Sequence, residues 1–348
     1  MRNLTAGEAS VVRAMLAALP SSERERIQES GIPPRTFRGI RSRAYEEGWI
    51  VDRYLPDPVM VSRPFLTFVL GEPFVERFSA VIESWGADPR VVHFWKGPQY
   101  VFVVLATSET NVRVPGVQEV SDVSALRRHS ALTVDSRSSG LPVYFDFEGS
   151  WGRWAGLTGS LAYPHGWRSS VRSEGDEAAQ ISPGARSTLA GLVRRPFELE
   201  AQGRSAVHAA PFFVPRSQRR AMERGWVQRR VFLDPQKLLQ MGGWKVENLA
   251  FVQGELLPKS EPLALLHALV DGCRLSPFLF ACDGRRLLLG SLAAAGPAPE
   301  KPGVPRASVS ATLESFLKGI EVFRTPLTGL VTPVNHRYDR MLGAPSRP

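Results

Sequence analysis

Two stretches of this chain resemble each other, and the distance between them limits what the chain can fold into. Gly31 to Pro58 reads GIPPRTFRGIRSRAYEEGWIVDRYLPDP, and Val214 to Pro235 reads VPRSQRRAMERGWVQRRVFLDP. Both hold Gly-Trp, then a β-branched residue, then an arginine-bearing run and Asp-Pro. Gly48-Trp49 lies 177 positions before Gly225-Trp226 (225 − 48), and Asp57-Pro58 lies the same 177 before Asp234-Pro235. A constant offset through two landmarks predicts a repeated unit spanning about half the chain.

The first copy predicts a helix and then a strand. Pro33 and Pro34 suit a first helical turn, where a missing N–H costs little. Phe37, Ile40, Ala44 and Tyr45 recur at helical spacing and define one apolar face. Arg35, Arg38, Arg41 and Arg43 fall largely off it. Gly48 suits the residue just past the helix end. Trp49 to Leu55 alternates as a strand, and Leu55 to Pro58 is a turn. Upstream, Thr5-x-x-Glu8 and Ser22-x-x-Glu25 are capping boxes that open two further helices. Val11, Val12, Met15, Leu16 and Leu19 form the stripe of the first. Three short helices and a hairpin make a winged helix-turn-helix.

A helix with four arginines and no acid before Glu46 suits a phosphate-lined groove. The competing explanation is a solvated face in a chain with 37 Arg and 6 Lys. Net charge of +9 and a pI near 10.0 favour an anionic partner. The expected partner is double-stranded DNA. Expected DNA-contacting residues are Arg35, Thr36, Arg38, Arg41, Arg43 and Arg53 in the first copy. In the second they are Arg216, Ser217, Arg219, Arg220, Arg229 and Arg230. The first copy is expected to read bases and the second to hold phosphates.

At 43% hydrophobic and 22% charged residues, the chain is globular. Cys273 and Cys282 match neither a disulfide framework nor a zinc spacing and suit buried thiols in a reducing cytoplasm. No apolar run is long enough to span a membrane, and MRNLTAGEAS holds no signal-peptide core. A cytoplasmic location without membrane association is therefore expected.

After the first helix-turn-helix, Arg63 to Leu70 reads as a buried strand, and Phe74 to Trp85 has helical spacing. Arg90 to Trp95 and Gln99 to Thr107 form a hairpin. Val123 to Arg128 is read as a second helix and Leu141 to Phe147 as the fourth strand. The order βαββαβ is ferredoxin-like. Ser150 to Gly175, rich in Trp, Gly and Arg, extends the sheet or links the halves. The second half repeats this order. A helix carries Leu189, Leu192 and Val193, and the arginine cluster and its wing follow. Then come a strand over Lys245 to Gln253, a helix over Pro262 to Val270, a hairpin over Phe278 to Cys282 and Arg286 to Leu292, a flexible loop over Ala293 to Pro305, a helix over Ser308 to Leu317 and a strand over Ile320 to Arg324. Gly319 to Phe323 mirrors Gly140 to Tyr144 at an offset of 179 (319 − 140). The fold class is α+β, with a winged helix-turn-helix over 1–61, a ferredoxin-like domain over 62–178, a diverged winged helix-turn-helix over 179–240 and a second ferredoxin-like domain over 241–348.

No Gly-rich phosphate loop, no Gly-x-Ser-x-Gly and no metal spacing among the six histidines is present. Neither a cofactor, a metal nor a catalytic residue is expected. His93, on a predicted strand, and His267, on an apolar helix face, are expected to be structural.

Leu4 to Pro58, with its capping boxes and the helix end Glu46-Glu47-Gly48-Trp49-Ile50, followed by Phe65 to Thr107, resembles the Lrp/AsnC (feast/famine) transcription regulators. The resemblance implies a DNA-binding regulator whose second domain mediates oligomerisation and could bind a small effector. Usual members carry one copy per chain, whereas this chain reads as two. Sirohaem decarboxylases resemble the same fold, occur as paired or fused copies, and use His and Arg near a tetrapyrrole, a role His93 and His267 would fill. A non-specific architectural DNA-binding protein is a third alternative.

Overall fold

The computed structural model describes residues 5–16, 23–56, 63–73, 83, 85–110, 126–137, 143–145, 182, 184–187, 189–191, 193, 224, 226–233, 246–273, 275, 277–294, 308–326 and 331–334. The fold is α+β, with three helices leading into antiparallel sheets. Helix α1 (Ala6–Leu16) opens on the expected capping box. The Glu8 carboxylate accepts from the Thr5 backbone N–H at 2.9 Å, and Thr5 Oγ1 accepts from the Glu8 N–H at 3.3 Å. Helix α2 (Glu23–Ser30) ends at Gly31, whose φ of +67° lets the chain turn through Ile32 and Pro33 into α3 (Pro34–Glu46). Ser22, the head of the second expected capping box, lies outside the described residues.

Helix α3 buries Phe37, Ile40, Ala44 and Tyr45, the four residues its spacing singles out. They share one core with Val11, Val12 and Met15 of α1. The helix ends in a Schellman motif. Gly48, at φ +71°, donates to the Tyr45 carbonyl at 3.1 Å, and Trp49 donates to the Ala44 carbonyl at 2.8 Å.

Strand β1 (Ile50–Pro56) follows, but it does not fold back into a local hairpin wing as expected. Its ladder is formed with β7 (Val227–Leu233), in a two-stranded antiparallel sheet. The register centres on Arg53 opposite Arg230, with Ile50 opposite Leu233 and Pro56 opposite Val227. The central pair is separated by 177 positions (230 − 53), the offset of the Gly-Trp landmarks. The ribbon therefore joins the two similar stretches about a local two-fold relation. Both landmark tryptophans, Trp49 and Trp226, are buried in the same core.

Two five-stranded sheets make up the body. The first runs β12 (Val331–Val334), β3 (Val91–Lys96), β4 (Val101–Thr107), β2 (Phe65–Pro73), β5 (Leu126–Asp135). The second runs β6 (Val143–Phe145), β9 (Pro277–Cys282), β10 (Arg286–Ala294), β8 (Val246–Leu256), β11 (Leu317–Pro326). The two orders correspond strand for strand, and each half lends its last described strand to the other half's sheet. In the second half α4 (Pro262–His267), closed by a π-helical turn (Ala268–Gly272), and α5 (Val309–Phe316) complete the order βαββαβ.

Three expectations are overturned here. Leu126 to Arg128 begins a strand, not a helix. Leu132 and Val134 are buried on its inner face, and Leu126, across a register break, is buried on the outer face in the cluster of Trp85. The fourth strand of the first sheet is therefore β5, and β11 corresponds to it. The segment Val143–Phe145 crosses to the second sheet beside β9. The expected match of Gly319–Phe323 to Gly140–Tyr144 fails for the same reason.

The sheets face each other across an aromatic core. Trp95 and Phe102 of the first sheet meet Phe251 of the second at ring-centroid distances of 5.5 Å each, and Phe102 meets Phe278 at 6.5 Å. Tyr100 and Phe323 touch edge to face at 5.5 Å. Strand alternation sends Val69, Phe94, Val101, Val103 and Leu105 to the outer face of the first sheet, against Trp85. It sends Val252, Phe280, Leu287 and Leu289 to the outer face of the second, against Leu265, Leu269 and Leu313. Cys273 and Cys282 are buried free thiols in this outer layer, as expected. Gly71, Gly290 and other positions where strands approach closely are occupied without a Cβ. Among the described residues, no helix is long and apolar enough to cross a membrane.

Candidate nucleic-acid interface

The face of α3 opposite its apolar stripe is open to solvent. Arg35, Thr36, Arg38, Gly39, Ser42 and Glu46 are all exposed on it. The reason is periodicity: four buried residues at helical spacing leave the intervening positions outside. The Pro33-Pro34 start frees the first turn from needing those backbone donors, and no side chain caps it.

The arginines of this helix divide into three settings. Arg35 and Thr36 stand on the exposed first turn. Arg38 and Arg41 converge on one carboxylate of α2. Arg38 Nε donates to Glu23 Oε1 at 2.6 Å and Arg41 Nη1 to Glu23 Oε2 at 2.9 Å. These two hydrogen bonds, that of Arg38 foremost, hold the Glu23 carboxyl below the ordinary carboxylate range. Arg43 turns the other way, towards α1, with its Nη1 3.5 Å from Glu8 Oε1, a carboxylate that is only 3% exposed. It braces the helix against α1.

Arg53 and Arg230 face each other at the centre of the β1–β7 ribbon, and Arg229 is opposite Tyr54. Arg216, Ser217, Arg219 and Arg220 lie outside the described residues, as do Ser150 to Gly175 and most of the loop Ala293 to Pro305. Arg224, just before the second landmark, places its guanidinium 5.0 Å from the Trp226 ring centre. Sequence reasoning passed over Glu23. An acid in the first turn of a helix reads as a cap or dipole partner, and nothing local shows that residues 15 and 18 positions downstream will close on it.

The two histidines considered for tetrapyrrole chemistry are not brought together. His93 is 1% exposed, sits beside a register break in β3 and meets the Phe102 ring at 6.3 Å between the sheets. His267 ends α4, on the outer side of the second sheet, and is exposed there, where its spacing suggested an apolar face. Among the described residues no group of His, Cys, Asp and Glu is disposed to hold a metal ion.

No protein-family model and no curated protein matches the chain. Among solved structures it is similar to siroheme decarboxylase NirDL, at 10% identity and a TM-score of 0.47 over 97% of both chains. The same enzyme in complex with an iron-uroporphyrin III analogue gives 11% and 0.45 over 97% of both. Escherichia coli AsnC is similar to 38% of this chain over 91% of its own length, at 12% identity and a TM-score of 0.29.

Proposed function

We propose that this chain is a DNA-binding transcription regulator, built as a tandem duplication of a helix-turn-helix and a ferredoxin-like domain, with the strand after each helix-turn-helix paired to its counterpart in place of a local wing. The observation that carries the reading is the exposed arginine face of α3, held out on a three-helix core by the turn at Gly31 and the Schellman end at Gly48. The net charge of +9 supplies the sequence-independent attraction to phosphate.

The duplication reading draws support from the Arg53–Arg230 pair at the ribbon centre and from the matched strand orders. One chain then carries two helix-turn-helix units, as a dimer of single-copy proteins would. They would meet half-sites about 34 Å apart, one turn of the duplex. Because the two arginine clusters differ in sequence, the half-sites need not be identical. Base reading is assigned to Arg35, Thr36, Arg38 and Arg41. Phosphate contact is assigned to Arg53, Arg229 and Arg230 at the ribbon and to Arg216, Ser217, Arg219 and Arg220 beyond it. The ferredoxin-like pair serves assembly and is where a small effector would act.

The test is binding of the full chain to duplex DNA across a salt series. The double variant Arg38→Ala/Arg41→Ala should bind more weakly, and its log K against log salt should flatten, because two guanidinium charges leave the surface. Affinity and slope equal to wild type would remove these residues from the interface. A haem-like absorbance band in purified protein that shifts no duplex would replace the regulator reading with a tetrapyrrole enzyme, for which the separation of His93 from His267 is unfavourable.

A further inference from the structure

We propose that Glu23 sets the selectivity of the α3 surface, by neutralising part of its charge towards phosphate while holding Arg38 and Arg41 in place to read bases. The inference rests on the DNA-binding reading above and assigns a role within it to a residue on a different helix.

The geometry is a shared carboxylate. Each Glu23 oxygen takes one guanidinium, Arg38 through Nε and Arg41 through Nη1. The Arg38 side chain is 60% exposed and that of Arg41 20%, so neither is sealed off from a partner. A guanidinium offers five N–H donors in a rigid fork. Giving one of them to Glu23 leaves others on each arginine for a second acceptor.

The two kinds of DNA contact respond differently to this arrangement. Attraction to phosphate follows net charge and is largely independent of direction. One shared carboxylate reduces the local charge of the Arg38–Arg41 pair from two to one and so weakens non-specific binding. Base reading depends on paired, directed donors, and an arginine already held in position loses less freedom when it engages. Glu23 therefore lowers affinity for any DNA more than it lowers affinity for the right one. Arg35, on the same exposed face but one turn nearer the helix start, reads bases without a carboxylate to hold it in place.

The experiment compares wild type, Glu23→Gln and Glu23→Asp as full chains. Fluorescence anisotropy would follow two duplexes of equal length, one selected from a random pool on wild-type protein and one of scrambled sequence. Salt would run from roughly 50 to 200 mM, the range over which phosphate contacts show. Glu23→Gln should bind the scrambled duplex several-fold more tightly, with a salt slope steeper by about one unit. Its ratio of selected to scrambled affinity should fall. Glu23→Asp keeps the charge and should stay nearer wild type in slope. If circular dichroism shows Glu23→Gln to be unfolded, Glu23→Thr supplies the neutral variant with a helix-start oxygen. A neutral, folded variant with wild-type slope and ratio overturns the role of Glu23 while leaving DNA binding intact. Wild-type protein that binds neither duplex overturns both readings together.

Discussion

At the scale of single residues, glycines mark where strands come close, and their neighbours set the cost of changing them. A Cβ at Gly290 would stand 2.6 Å from Cζ and 2.7 Å from Cε2 of Phe278, a ring fixed between the sheets. A Cβ at Gly71 would meet the Leu126 side chain, its Cδ1 at 2.5 Å. That group ends a flexible side chain at the start of an edge strand and can turn aside. Gly290→Ala should therefore destabilise by about 1–3 kcal/mol, the usual cost of overpacking, and Gly71→Ala by less. Urea denaturation of both variants checks the order, and equal losses would show that Phe278 has room to move.

At the scale of elements, the three leading helices are joined by charge as well as by their apolar faces. Two Glu23 hydrogen bonds tie α2 to α3, and Glu8 ties α1 to Arg43. Arg38 foremost, then Arg41, lowers the Glu23 pKa in the folded protein, so the unfolded chain binds the proton more readily. The stabilisation is thus present above the unfolded pKa and is lost as pH falls through the folded one. Glu23 is 40% exposed, which limits the effect to below about 1 kcal/mol. The stability difference between wild type and Glu23→Gln should be largest at neutral pH and vanish in acid. Denaturant melts over a descending pH series test this, and a difference that grows in acid would contradict it.

At the scale of the whole molecule, the halves are entwined. The β1–β7 ribbon pairs them, β6 and β12 are exchanged between the sheets, and Trp95, Phe102, Phe251 and Phe278 fill the space between. A half made alone lacks one edge strand of its sheet and exposes the aromatic face of the other. Fragments 1–178 and 179–348 should fail to fold as monomers when made separately and should recover native circular dichroism when refolded together. A cooperative melt from monomeric 1–178 alone would refute this dependence.

Much of the local structure was legible in the sequence. The capping box at Thr5, the buried stripe of α3, the two glycine-ended helices and most strands of the second half follow from patterns repeating every two or 3.6 residues, and such patterns act between neighbours in the chain. The 177-residue offset also separates Arg53 from Arg230, the pair at the ribbon centre, but does not show that they meet. Partner choice was decided by the tertiary structure. A strand such as β1 or Val143–Phe145 carries no local mark of which distant edge completes its ladder. A carboxylate such as Glu23 carries none of the guanidiniums that will close on it, because those choices depend on packing that brings remote residues within hydrogen-bond reach.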